Sequence, residues 1–312
     1  MNKKKTDFTV IILSLLFLFF LIFSNKLVLE SVSFSISIWK DNLFPTLFPF
    51  FIVSNILIQY GFIDIIGNIF SKPMQKIFKL PGNSSYVLIN SLFSGFPSGA
   101  KYTTALVKEK ILTINDASRL LTFTNYSNPL FIIGFIGNMI LNKKTSILIL
   151  ISHILGGLIV GLIFSINKES NNIQNKSIKK EDKKITFGTS LSTSIYDSLN
   201  TMFLLLGIVT IFTIITSIIS NVLNLNIYLK TILSGILEMT QGIKNLNTLN
   251  ISFFLKTILV TFFISFGGLS VHIQVLSIIS EYNIKYKPFF IARIIHSVIS
   301  CGLVSILYYI TY

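Results

Sequence analysis

The chain alternates between long apolar runs and short polar stretches, a pattern typical of a protein that crosses a lipid bilayer several times. A helix needs roughly 20 residues to cross the hydrocarbon core, and six apolar runs approach or exceed that length. Each run predicts a membrane-spanning helix. The predicted spans are residues 8–23, 43–60, 118–141, 145–166, 199–220 and 289–311.

Two further apolar runs, residues 85–93 and 251–266, end in glycine-containing polar stretches, SGFPSGAK (94–101) and SFGGLSVHIQ (265–274). A helix of about a dozen residues rises only ~18 Å, against a hydrocarbon core of about 30 Å. An amphipathic segment follows each stretch, so both regions are predicted to be re-entrant hairpins. The alternative is a plain loop between two short spans.

Lysines indicate the orientation of the chain. Three of them precede the first run, and a polar segment at 167–184 carries six lysines against three acids. Cytoplasmic loops are enriched in Lys and Arg, so the N-terminus and this linker are placed in the cytoplasm. The predicted divisions are an N-terminal span (1–30), a first repeat (31–141), a connecting span (142–166), the linker (167–184) and a second repeat (185–312).

The repeat rests on three correspondences between the halves: residues 37–39 with 194–196, SGFPSGAK with SFGGLSVH, and 117–120 with 291–294. In the predicted topology the two units are inverted. Inverted repeats with broken helices are the architecture of secondary transporters, although a duplicated structural membrane protein is an alternative. The predicted fold class is therefore an all-α polytopic membrane protein that contains an inverted repeat of span, re-entrant hairpin and span.

Composition excludes several functional classes. The chain is 52% hydrophobic and 12% charged, whereas soluble domains are about a quarter charged. The net charge of +14 comes without a nucleic-acid-binding motif. One cysteine and three dispersed histidines exclude a disulfide framework and the common metal motifs. With hydrolase and nucleotide motifs also absent, we expect neither an enzyme nor a cofactor.

Two arginines stand out among 26 basic residues, Arg119 and Arg293, and the repeat places them at matched positions. Arginine offers a planar fork that grips carboxylates with two hydrogen bonds. Both are therefore predicted to bind an anionic solute, with His296 on the same helix face as Arg293. The alternatives are that Arg119 pairs with Asp116, or that both side chains extend to the membrane interface.

The two predicted turns supply further candidates. Glycines permit close approach of the backbone, prolines fix a break, and free N–H groups with hydroxyls can hold an anion at a helix start. Glycine in membrane helices more often serves packing, which is the alternative. The candidates are Gly95, Pro97, Ser98, Gly99 and Lys101 in the first turn, and Gly267, Gly268, Ser270, His272 and Gln274 in the second.

A polar interruption, TFTNYSNP at 122–129, falls within the predicted span 118–141. Asn125 and Asn128 could line a cavity there, since Pro129 lacks an N–H and frees a carbonyl. A kink satisfied by its own side chains is the alternative. Among the acids, Glu238 is the best candidate for a proton or cation partner.

Three segments carry a family resemblance: NSLFSGFPSGAK (90–101), LTFTNYSNPLF (121–131) and LFPTLFPFF (43–51). Together they resemble the YlbJ-type sporulation integral membrane proteins, which have a nucleoside-recognition Gate domain. The resemblance implies movement of dipicolinic acid across the outer forespore membrane of a sporulating bacterium. The second predicted hairpin departs from the pattern because it lacks the proline of the first.

The leading hypothesis is a transporter that moves a small carboxylated solute by alternating access, with Arg119 and Arg293 holding the anion. One alternative is a carrier of nucleosides or other neutral solutes, in which Asn125, Asn128 and Gln274 recognise the solute. Another is a membrane scaffold that recruits sporulation proteins through the linker. The expected partners are the solute and the bilayer, with no nucleic acid, and a homo-oligomer is left open.

Overall fold

A computed structural model describes residues 3–166 and 186–312. Every regular element in these two ranges is helical, which confirms the predicted all-α class. By length and composition, four described elements can cross a membrane: Lys143–Ile163, Phe187–Val222, Phe253–Ser280 and Tyr286–Thr311. The predicted linker at 167–184 lies outside the described residues.

The helices are α1 (Lys3–Phe23), α2 (Asn25–Ile38), α3 (Phe44–Gln59), α4 (Phe62–Ile77), α5 (Ser84–Ser94), α6 (Ser98–Lys108), α7 (Ile114–Leu120), α8 (Gly137–Met139), α9 (Lys143–Ile163), α10 (Phe187–Val222), α11 (Ile227–Leu237), α12 (Met239–Leu246), α13 (Phe253–Phe266), α14 (Gly268–Ser280) and α15 (Tyr286–Thr311). Two π-helical turns, Trp39–Leu43 and Phe131–Ile136, precede α3 and α8.

The long helix α10 packs against the N-terminal helices. The chain bends by 96° between α1 and α2, and α2 continues through a π-helical turn into α3. Ser31 on α2 donates a hydrogen bond to Ser217 on α10, at 3.0 Å. The indole N–H of Trp39 donates to the Met202 carbonyl, at 2.8 Å. Helix α2 was missed in the sequence because its serines interrupt the apolar run.

The first hairpin has the form expected from the sequence. Helices α5 and α6 are separated by Gly95–Pro97, with a cis peptide bond between Phe96 and Pro97. The ring centroids of Tyr86 on α5 and Tyr102 on α6 lie 5.3 Å apart. A continuous helix would separate these residues by about 24 Å, so the chain folds back at the turn.

The second hairpin lies elsewhere than predicted. Helices α11 and α12 fold back at Glu238, and Asn245 Nδ2 donates to Ser234 Oγ across them at 3.2 Å. The predicted re-entrant hairpin at 251–284 is wrong, because α13 and α14 together form one apolar element, Phe253–Ser280. Gly267 and Gly268, with φ of +90° and +69°, interrupt this element without reversing it.

The same order of elements therefore occurs twice: a hairpin, an interrupted helix and an uninterrupted helix. The first set comprises α5 and α6, residues 114–139, and α9; the second comprises α11 and α12, residues 253–280, and α15. The pairing differs from the one expected from the sequence. Arg119 lies on α7, before the first interruption, whereas Arg293 lies on the uninterrupted α15. The two arginines do not occupy equivalent positions.

Gly242 is expected to be intolerant of a side chain, since a Cβ there would overlap the backbone of Gly235 on the facing helix. We expect Gly242→Ala to force α11 and α12 apart and destabilise the fold by about 1–3 kcal/mol. Thermal unfolding of the purified protein in detergent measures this effect. Gly207→Ala on α10 is the control, because no atom lies within 4 Å of its added Cβ. Equal melting temperatures for both variants would contradict the prediction.

Candidate functional site

The tip of the first hairpin lies directly against the first helix interruption. A Cβ on Gly95, whose φ is +72°, would lie 3.0 Å from the Asn128 backbone nitrogen, and a Cβ on Gly99 would overlap the Thr124 carbonyl oxygen. Only glycine permits this approach at both positions. The Ser98 hydroxyl donates within the tip, to the Gly95 carbonyl.

The tip of the second hairpin meets the second interruption in the same way. A Cβ on Gly268 would lie 3.0 Å from the Met239 nitrogen and 3.3 Å from the Leu237 carbonyl oxygen. Phe96, from the first tip, reaches to 3.6 Å from a Cβ placed on Gly267. Both hairpin tips and both interruptions therefore converge on one region.

A cavity of about 80 Å³ occupies this point of convergence. One wall is formed by the two tips and the two interruptions, and the facing wall by α3 and α10. The polar lining residues are Ser94, Ser127, Asn128, Thr201, Glu238, Thr240, Ser270 and Gln274; the others are Leu43, Leu47, Phe51, Gly95, Phe96, Pro97, Phe131, Leu204, Leu205, Ile208, Val209, Met239 and Val271.

The lining of this cavity is mostly apolar, and its polar groups are neutral with one exception. Hydroxyls and carboxamides supply most of its hydrogen-bonding groups, and Glu238 is the single ionisable residue among those that line it. The Glu238 side chain is 4% exposed, and its Oε2 accepts a hydrogen bond from the Gln241 N–H at 2.7 Å. The described residues contain no cluster of three or more His, Cys, Asp or Glu that could hold a metal ion.

Arg293 stabilises the first interruption. Pro129 has no N–H, so the carbonyl of Asn125, four residues earlier, has no helical donor. Arg293 Nη1 donates to this carbonyl at 2.7 Å, and Nη2 donates to the Thr122 carbonyl at 2.9 Å. The guanidinium is fully buried and lies 5.5 Å from the centre of the Phe289 ring. The expectation that Arg293 grips a solute is therefore corrected, because both terminal nitrogens bind backbone.

His153 and His296 join α9 and α15 beside the same interruption. His153 Nε2 accepts from the Ser127 N–H at 3.1 Å, so Nδ1 carries the proton and donates to Ser265 Oγ at 2.9 Å. His296 Nε2 donates to the His153 carbonyl at 2.7 Å, and the two imidazoles stack at 4.7 Å. His153 thereby bonds the first interruption to α13.

His272 forms hydrogen bonds at the second interruption. Its Nε2 donates to the Phe266 carbonyl at 3.1 Å, and its Nδ1 accepts from the Tyr286 hydroxyl at 2.8 Å. The carbonyl of Phe266 lies at the end of α13, where the left-handed glycines stop the helical hydrogen-bond pattern. The imidazole is thus a structural donor at the break, outside the cavity lining.

Arg119 follows the alternative interpretation made from the sequence. Its guanidinium lies 3.6 Å from an Asp116 carboxylate oxygen and donates to the Lys79 carbonyl. Lys101 is exposed on α6. Neither residue lines the cavity, so the predicted pair of solute-binding arginines is absent from it.

Five of the predicted solute-binding residues line the cavity: Gly95, Pro97, Asn128, Ser270 and Gln274. The rest support its walls or lie away from it: Ser98, Gly99, Lys101, Arg119, Asn125, Gly267, Gly268, His272, Arg293 and His296. Glu238, predicted as a proton or cation partner, lines the cavity as well. The sequence analysis missed the second tip as a unit, together with the wall from α3 and α10. The available signal was ILEMTQG at 236–242, a polar interruption after a short apolar run, as in the first hairpin.

Comparisons with known proteins identify the family of this chain. Residues 42–142 match the Gate family model, described as nucleoside recognition, and this range contains the first hairpin and the first interruption. The chain is 32% identical to the sporulation integral membrane protein YlbJ of Bacillus subtilis (strain 168), covering 99% of this chain and 84% of that protein. No solved structure matches. Similarity of this extent shows that the chain belongs to the family of YlbJ-type sporulation integral membrane proteins.

Proposed function

We propose that this integral membrane protein is a transporter that binds a small polar solute in the cavity between the hairpin tips. The observation that carries the proposal is the convergence of both tips and both interruptions on one cavity. Non-helical backbone at membrane depth is tolerated where it lines a cavity, and interrupted helices at a repeat interface form the binding sites of many transporters.

We propose that the two units are inverted, an arrangement that permits alternating access. Ser165, beyond the end of α9, donates to the Phe78 carbonyl at 2.9 Å, which puts the open end of the first hairpin on the face where α9 ends. Helix α10 then crosses the bilayer before the second hairpin begins. We therefore propose that the hairpins enter from opposite faces and that each can close one route to the solute.

The cavity constrains the solute. With both arginines bound elsewhere, its one charged side chain is the acidic Glu238. A dianion such as dipicolinic acid, implied by the family resemblance, would therefore have to enter protonated or with a cation. A neutral, hydrogen-bonding solute such as a nucleoside needs no such compensation, and the Gate description favours it. The outer forespore membrane remains the proposed location.

Uptake into vesicles tests the proposal. The full chain would be reconstituted and supplied with labelled uridine or labelled dipicolinic acid, with protein-free vesicles as the blank. Saturable uptake of either compound supports a transporter, and cross-competition identifies the preferred class. If neither these compounds nor a panel of nucleosides and dicarboxylates enters faster than in the blank, the transport proposal fails and the scaffold alternative gains support.

Gln274→Leu is expected to weaken binding of the transported solute. The Gln274 side chain lines the cavity from α14, and loss of one net hydrogen bond lowers affinity by about five- to tenfold. Isothermal titration of the purified variant measures the change. Ser277→Ala, one turn further along α14 and exposed, is the control. An unchanged affinity in Gln274→Leu would remove this residue from the site.

A further inference from the structure

A second, larger cavity of about 390 Å³ lies between α2, α10, α11 and α12. Its lining is mainly polar and includes the charged side chains of Glu30 and Lys230. Two exposed residues form part of it: Asn221, in the last turn of α10, and Asn224, in the loop after α10. Since α10 is uninterrupted and is long and apolar enough to cross the bilayer, we expect this cavity to open on the face where α10 ends.

Buried polar atoms show that this cavity is suited to water. Thr213 Oγ1, Ser220 Oγ and Gln241 Oε1 are buried and have no hydrogen-bond partner in the described part of the chain, and all three residues line the cavity. An unpartnered buried polar group costs about 1–3 kcal/mol. Water or a hydrated ion removes that cost in a polar cavity of this size.

The inner end of the cavity reaches the solute site. Asn245 and Gln241 on α12 line it in succession, and Gln241 donates its backbone N–H to Glu238, whose side chain lines the first cavity. The first turn of α12 is therefore all that separates the polar cavity from the solute cavity. Glu238 belongs to one cavity, and its hydrogen-bond partner belongs to the other.

The Glu238 carboxylate has no cationic partner. No nitrogen of a described Lys, Arg or His side chain lies within 4.0 Å of its oxygens. The charged and titratable side chains on the surrounding elements are Tyr228, Lys230 and Lys244 on the hairpin, Lys256 and His272 on residues 253–280, Tyr196 and Asp197 on α10, and Lys26 and Glu30 on α2. Lys244 lies over the Phe34 ring, and His272 binds Tyr286 and the Phe266 carbonyl.

We infer that a small cation, either a proton or Na⁺, reaches Glu238 through the polar cavity and neutralises it while solute is bound, which couples solute movement to a cation gradient. An unpaired carboxylate inside a membrane is costly and marks an ion or proton pathway. The inference rests on the proposed transport function. Neutralisation of Glu238 by the cation also explains how a cavity whose one charged side chain is acidic can accept an anionic solute.

Cation binding can be measured without transport. Thermal unfolding of the full chain in detergent would be compared in NaCl and in N-methyl-D-glucamine chloride, and in each salt between pH 5 and pH 8. We expect Na⁺ or protonation to stabilise the wild-type protein, and Glu238→Gln to lose that response. Glu281→Gln, which removes an exposed carboxylate that lines neither cavity, is the control and keeps it. A wild-type protein insensitive to both cations, or Glu238→Gln with the wild-type response, overturns the inference.

Transport measurements test the cation coupling independently of the unfolding experiment. A tenfold inward gradient of the coupling cation is expected to drive up to about tenfold solute accumulation at one-to-one coupling, and Na⁺ and proton gradients imposed separately distinguish the two sources. Uptake that responds to neither gradient overturns the proposed coupling but leaves the transport proposal standing. A cation response without uptake of any solute refutes the proposed function and leaves the cation site standing.

Labelling of a single thiol tests whether the polar cavity is an aqueous route to Glu238. In a Cys301→Ser background, Ser217→Cys places the chain's one cysteine in the polar cavity. A membrane-impermeant cationic thiol reagent is expected to modify it from one face and to suppress the cation response. This variant remains informative if Glu238→Gln does not fold. Absence of labelling from both faces overturns the route.

Discussion

Arg293→Met is expected to destabilise the protein by roughly 2–5 kcal/mol, because it leaves two buried carbonyls without donors. These are the carbonyls of Thr122 and Asn125, which Arg293 binds at 2.9 and 2.7 Å. Methionine keeps most of the side-chain volume, so the loss reports on hydrogen bonding. We expect the melting temperature in detergent to fall by about 10 °C. Arg293→Lys is expected to be intermediate, since an ammonium group lacks the planar fork that serves both acceptors.

Arg119→Met is the matched control for this substitution. The Arg119 side chain is 14% exposed and binds one backbone carbonyl, that of Lys79. Arg293 is fully buried and binds two carbonyls, so we expect removal of Arg119 to cost less. A stable Arg293→Met protein that had lost solute affinity would contradict the structural role. Such a result would return Arg293 to the solute-binding role expected from the sequence.

Gly99→Ala is expected to abolish transport. A methyl group at this position overlaps the Thr124 carbonyl oxygen, and neither backbone segment can move aside without displacing the first hairpin tip from the helix interruption. We expect loss of uptake in vesicles and weaker solute binding, since Gly95 and Pro97 of the same tip line the cavity. Gly188→Ala, where no atom lies within 4 Å of the added Cβ, is expected to transport normally. Normal uptake by Gly99→Ala would show that the tip does not need this contact.

The first half of the fold could be predicted because its breaks are made by proline and glycine. The turn at Gly95–Pro97 and the interruption before Pro129 are both visible in the sequence. The carbonyl freed by Pro129 was expected as a cavity wall, and its actual partner, Arg293, lies 168 residues away in the chain. Such a long-range contact cannot be deduced from local patterns.

The second half could not be predicted in this way because the roles of its breaks are exchanged. The glycine pair at 267–268 interrupts a helix that continues in the same direction, whereas the hairpin reverses at Glu238 with neither glycine nor proline in the turn. Glu238 adopts an extended backbone (φ −143°, ψ 110°) and caps α12 with its carboxylate. The hairpin closes because Gly235 and Gly242 meet along its arms, which is a packing signal that turn-based prediction does not detect.

The bonds of Arg293 and His153 also limit how the protein can move. Arg293 holds α15 to the first interruption, and His153 connects that interruption to α13. Separating the two interrupted helices would leave these buried groups without partners, at a cost of about 1–3 kcal/mol for each group. We therefore expect the first interruption, α13 and α15 to move as one unit, and a conformational change of the proposed transporter to occur where this unit meets α3 and α10.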